Sequence, residues 1–139
     1  MFNKREWSRE YWRKNKEVMR QKLQAYRTKT ANAVTHRYEK TVNGFLMRMY
    51  RNMQSRVTGV QKKKAHLYKG KALLAREDFY AWAKSSKEFS KLFAEWKHKG
   101  YPRKLAPSVD RIDPLKGYIL SNMEWVTHSE NSRRSSKTR

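Results

Sequence analysis

The sequence predicts a mostly helical α+β fold: basic N-terminal helices followed by a small C-terminal strand–turn–strand–helix (ββα) unit. Three observations predict it. Residues 1–43 contain no proline or glycine and many good helix formers. Apolar residues then recur at helical spacing up to Trp96. Only after Pro102 do two β-prone runs appear, separated by a Pro–Gly turn and followed by a helix-start signal.

Residues 3 to about 40 read as one long exposed helix. Trp7, Tyr11, Trp12, Val18, Met19, Leu23 and Tyr26 form a stripe too thin to bury a core. Such a helix becomes ordered on DNA or against a partner. Gly44 is expected to break it, which sets an arm at 1–43 and a main domain at 44–139. Within the main domain, 44–100 are supporting helices and 105–134 are the ββα unit.

Phe45, Leu46, Met49, Tyr50, Met53 and Val57 mark the inner face of the next helix, which Gly59 ends. Arg48, Arg51 and Arg56 lie on its other side, where a phosphate backbone would run. Lys62-Lys63-Lys64 adds a positive loop that is solvated or touches phosphates. Two short helices follow. The first starts at Arg76 and turns Phe79, Trp82 and Ala83 inward. The second is capped by Ser85 with Glu88, buries Phe89, Leu92, Phe93 and Trp96, and stops at Gly100. These aromatics are core rather than a base-stacking platform, and they support a motif too small to stand alone.

Pro102 and Pro107 bracket a linker. Val109 and Ile112 mark one strand. Tyr118, Ile119, Leu120, Trp125 and Val126 mark the other, and Pro114 to Gly117 supplies the turn. Thr127 and Glu130 have capping-box spacing, so a last helix starts at His128. Beyond Asn131 a basic tail with Arg133 and Arg134 is expected to fray and to add phosphate contacts.

The chain has 139 residues and a formal net charge of +22, from 34 Lys and Arg against 12 Asp and Glu. That much like charge opposes compaction unless a polyanion is near. The plain reading is a solvated, partly disordered tail, but the basic residues are interleaved with Trp and Tyr, which favours a nucleic-acid partner. The absence of cysteine excludes disulfides, thiol nucleophiles and thiolate zinc sites. No apolar run reaches the ~20 residues of a membrane span. The N-terminus lacks a signal-peptide core, so the expected location is cytoplasmic. His36, His66 and His98 have no metal-ligand spacing and read as surface or structural residues.

The chemistry concentrates in residues 107–131. A ββα unit can bring Asp110, Asn122 and Asn131 to one metal ion. Oxygen ligands favour Mg2+ or Mn2+ over zinc. Each residue also has a plain role: Asp110 as an ion-pair partner, Asn122 as a turn cap, Asp113 as a turn opener before Pro114, and His128 as a helix-start residue. On a strand, Asp110 and Arg111 point to opposite faces.

The run Ser108-Val-Asp-Arg-Ile-Asp-Pro-Leu-Lys-Gly-Tyr118, with Asn122, Trp125-Val-Thr127 and Ser129-Glu-Asn-Ser-Arg133, resembles the HNH endonuclease superfamily. More narrowly it resembles a phage-associated, homing-type group with an Asp-Arg-Ile-Asp signature. The resemblance covers roughly 30 residues. It implies a ββα-metal fold, magnesium- or manganese-dependent cleavage of double-stranded DNA, and the cytoplasm of a bacterial host. Asp110 falls at the strand-one metal ligand, Asn122 at the central Asn that holds the loop or the metal site, and Asn131 at the last ligand on the helix. Arg111 stands where the family places its general-base His. An Arg cannot act as a base and would hold a phosphate instead. Asp113 or His128 would then activate water. A homodimer is compatible with one metal site per chain, as is a phage protein partner. The alternative is a degenerate HNH relative that only binds DNA or RNA.

Overall fold

The computed structural model describes residues 1–137 and divides into two units, Met1–Tyr38 and Glu39–Arg139. In the first unit α1 spans Lys4–Lys29. Asn3 caps it, its side chain accepting from the Arg5 and Glu6 amides at 3.1 and 3.2 Å. The expected single helix to residue 40 does not form. Ala31 and Asn32 take φ of +51° and +57°, which halts the helix, and α2 starts afresh at Ala33–Glu39.

The break expected at Gly44 is also displaced. α3 spans Val42–Val57, so Gly44 lies in its first turn, buried, with its amide bonded to Thr41 Oγ1 at 3.1 Å. Glu39 and Lys40 belong to the second unit for a physical reason. Glu39 pairs with Arg48 at 3.1 Å, and the Lys40 ammonium sits 4.8 Å from the Tyr101 ring centre.

The helical support follows the apolar spacing closely. Phe45, Leu46, Tyr50 and Met53 of α3 are buried, and Met49 and Val57 pack against them. A short α4 (Ala65–Tyr68) follows the Lys62–Lys64 turn. α5 (Arg76–Ser85) and α6 (Lys87–His98) contribute Phe79, Ala83, Phe89 and Trp96 to the core. The cap of α6 is Ser86, one residue after the expected Ser85. Ser86 has the extended backbone a cap needs, and its hydroxyl accepts from the Phe89 amide at 3.1 Å. Gly100 ends the segment with φ +81°.

β1 (Pro107–Arg111) and β2 (Met123–Thr127) form an antiparallel pair in which Val109 faces Trp125 and Asp110 faces Glu124. α7 (His128–Lys137) completes the ββα unit. The fold is therefore mostly helical α+β, with its small sheet near the C-terminus. The second strand is shorter than expected. Tyr118 instead makes a parallel bridge with Leu73, its amide bonding Ala72 O at 2.8 Å. Gly117 permits this approach, since a Cβ there would lie 2.3 Å from Ala72 O. Ile112, Ile119 and Leu120, expected in the strands, are exposed on this excursion.

Trp125 joins the sheet to the helical support. Its ring lies 4.6 Å from Phe89 and stacks on Trp82 at 5.2 Å. Trp125→Ala should cost about 3–5 kcal/mol, the range for truncating a buried Trp. Denaturant unfolding checks this. A loss under about 1 kcal/mol would mean the sheet stands without its aromatic support. Among the described residues, no helix is long and apolar enough to cross a membrane.

Candidate metal and nucleic-acid site

The register of the hairpin sorts the site residues. Pro107, Val109, Met123 and Trp125 are buried on the core face. Arg111 shares that face by alternation, while Ser108 and Asp110 of β1 and Glu124 of β2 lie on the other. α7 covers the second face. Asn131 crosses to β1, its amide nitrogen donating to Ser108 Oγ at 2.7 Å and Val109 O at 3.3 Å. Asn131 thus bonds Ser108, which shares its sheet face with Asp110. Thr127 Oγ1 accepts from the Glu130 amide at 3.2 Å, so α7 starts at His128 as its spacing predicts. His128, Asn131 and Arg134 recur every third residue and share one ridge of α7.

Asp110 and Glu124 are directly opposed like charges, an unfavourable cross-strand pair. Arg134 resolves it. One guanidinium nitrogen of Arg134 bonds Asp110 Oδ2 at 2.8 Å and also Glu124 Oε1, while its Nε bonds Glu130 Oε1 at 3.0 Å. Carboxylates from β1, β2 and α7 thus converge on one side chain. These bonds hold Arg134 more firmly protonated than a free arginine. Through Lys137 the expected tail continues as α7, which these bonds fasten to the hairpin, and its last two residues lie outside the described residues. Arg134 is consequently occupied within the fold rather than extended toward a phosphate.

Arg133 also bonds Glu130, from Nε at 2.9 Å and from a terminal nitrogen. The two guanidiniums, Arg133 first, lower the Glu130 carboxyl from 4.5 to about 2. A depressed folded-state value means the pairing stabilises fully above the unfolded value of about 4.5 and is lost as pH falls toward 2. Glu130→Gln should therefore lower Tm at pH 6, with the difference closing between pH 4.5 and 2. A difference unchanged at pH 2 would show that the carboxylate charge is not what Arg133 and Arg134 read.

Asn122 takes the loop-holding role and not the ligand role. It is 4% exposed. Its oxygen accepts from the Asp113 amide at 2.8 Å, and its nitrogen donates to Asp113 O at 3.1 Å and Gly117 O at 2.9 Å. The side chain is used by the loop it closes. Asp113 is the turn opener: its carboxylate accepts from the Leu115 amide at 2.9 Å, and its carbonyl from the Lys116 amide at 3.1 Å. The Leu115 bond engages one of the two carboxylate oxygens in the turn.

Arg111 is likewise engaged within the fold. Its guanidinium donates to Leu67 O, Pro114 O and Lys116 O, each at 3.1 Å, and lies 4.1 Å over the Tyr68 ring. It pins the 112–117 turn to α4. Arg56 has a similar fate. It donates to the Tyr118 hydroxyl at 3.1 Å and lies 5.6 Å from the Tyr68 ring centre. Burial raises the Tyr118 phenol above its ordinary value, and Arg56 opposes that in part. Of the expected phosphate contacts, Arg48, Arg51, Lys62, Lys63, Lys64 and Arg133 remain exposed, with Arg48 and Arg133 ion-paired.

The donor chemistry fits a hard cation in part. Asp110 and Asn131 bring a carboxylate and an amide to one face. Asn122 does not join them, and Arg134 occupies the Asp110 carboxylate. Among the described residues, no group of three or more His, Asp, Glu or Cys is arranged to hold a metal ion. Glu124, Glu130 and Arg134 were not anticipated as partners of Asp110. Glu124 becomes visible only once the register places it opposite Asp110.

Comparison with protein-family models, curated proteins and solved structures returns no match.

Proposed function

We propose that this chain is a metal-dependent DNA endonuclease of the HNH type, hydrolysing phosphodiester bonds in double-stranded DNA. One observation carries the reading. Asp110 on β1 and Asn131 on α7 meet on one face of the hairpin, while Asn122 ties the intervening loop. That is the division of labour implied by the HNH resemblance of residues 107–131. A phage or homing-type origin and a host cytoplasmic location follow from the same resemblance.

Asp110 and Asn131 would hold Mg2+ or Mn2+, which supplies charge to polarise the scissile phosphate. His128, on the Asn131 ridge, or Asp113, one of whose carboxylate oxygens is engaged in its turn, would take the proton from water. Arg51 and Lys62–Lys64 are exposed cations suited to phosphate contacts, which give affinity with little sequence preference. Arg134 engages Oδ2 of Asp110, so a cation would share the carboxylate with it or displace it. Its side chain is 40% exposed, so a phosphate can compete for it. A homodimer would let two sites cut two strands.

A second reading has its own observation. Arg134 on Asp110, together with Arg111 locked on three carbonyls, suits a relative that binds nucleic acid without cutting it. Supercoiled plasmid, incubated with Mg2+, Mn2+ or chelator, separates the two. Metal-dependent nicking supports the endonuclease. Binding with no nicking across metals and pH supports the second reading.

A further inference from the structure

We infer that α1 is a separate binding site for single-stranded nucleic acid, in which Trp7, Tyr11 and Trp12 stack on unpaired bases. This stands apart from the cleavage reading and does not depend on it. The helix has 26 residues and buries none of them. Trp7, Tyr11 and Trp12 are 55%, 42% and 54% exposed. Exposing three large rings within six residues is costly for a helix with no ligand. Trp7 and Tyr11 already stack on each other, with centres 5.3 Å apart and planes 21° from parallel. A base can extend that stack.

The charge around the rings selects the ligand. α1 carries ten Lys and Arg against three Glu. Lys4, Ser8, Asn15 and Lys22 fall along the middle of the apolar stripe by helical spacing, with rings on either side. A second copy of α1 would have to bury those lysines in a seam and set ten cations against ten. A polyanion needs the opposite: cations among the rings to meet phosphates while the rings meet bases. Duplex DNA offers phosphates but keeps its base faces stacked away. Single strands offer both.

The test uses the full chain in EDTA, with a labelled oligo-dT and a duplex of equal length, read by fluorescence anisotropy. The variant is Trp7→Ala/Tyr11→Ala/Trp12→Ala, with Trp7→Phe/Tyr11→Phe/Trp12→Phe as the conservative control. The core of the second unit contains no residue of α1, so its thermal melt should be unchanged. Oligo-dT affinity should fall about tenfold or more in the alanine variant, as expected for lost base stacking. The phenylalanine variant should restore most of it, and duplex affinity should stay within about threefold. The salt slope should stay the same, since no cation is removed. Equal loss on both nucleic acids, or no loss on oligo-dT, overturns the proposal. So does wild-type dimerisation that the alanine variant abolishes, which would make the stripe a self-association face.

Discussion

Asp110→Ala is expected to abolish metal-dependent nicking, by about 10³-fold or more, while leaving DNA affinity within about threefold. The magnitude follows from losing several kcal/mol of transition-state charge stabilisation, with each 1.4 kcal/mol worth a factor of ten. Affinity should survive because the exposed cations on α3 and in the Lys62–Lys64 turn are untouched. Two outcomes need separating from a folding defect. Asp110 faces Glu124 and binds Arg134, so its removal also alters an ion-pair cluster. Arg134 retains Glu124 and Glu130 in the variant, so α7 should stay docked. Asp110→Asn is the cleaner companion, because an amide oxygen can still accept from Arg134. Both variants should lose cleavage and keep a cooperative melt. Nicking that persists in Asp110→Asn at the wild-type rate would remove the carboxylate from the chemistry. Equal loss of binding and cleavage would make Asp110 a structural residue.

Arg111→Ala should damage the fold rather than DNA affinity, costing about 2–4 kcal/mol. The guanidinium satisfies three carbonyls and lies over an aromatic ring. Bonds from a charged donor are worth ~1.5–3 kcal/mol each when made, and a desolvated cation–π contact about 2. Partial exposure and water in the vacated space reduce the sum. Arg111→Lys should rescue only part, since the three carbonyls converge on one nitrogen but an ammonium lacks the planar face that lies over Tyr68. Chemical denaturation measures the loss. The salt slope of DNA binding, taken below the unfolding transition, should match wild type. A slope reduced by about one, with unchanged stability, would restore the phosphate clamp that its position in the motif suggests.

The difference between these two residues shows where sequence reading ends. Both lie on one five-residue strand. Their opposite faces followed from alternation alone, and the structure agrees. What each face meets did not follow. Arg111 meets Leu67, which is 44 positions earlier, and Asp110 meets Arg134, which is 24 later. Long-range contacts of this kind leave no periodic trace in the chain.

The sequence by itself determined the helical support, the start of α7 at His128 and the position of the hairpin. Apolar spacing, caps and turn residues are local signals, and a helix or turn is built from local bonds. It also determined the net charge of +22. Only the tertiary structure decided that Tyr118 pairs with Leu73, because that bridge needs the close approach at Gly117 and Ala72. The same holds for the partners of Asn122, Arg111 and Arg56, which are the loop, α4 and Tyr118. A polar side chain has no intrinsic destination. Its partner is whichever donor, acceptor or ring the packing brings within reach.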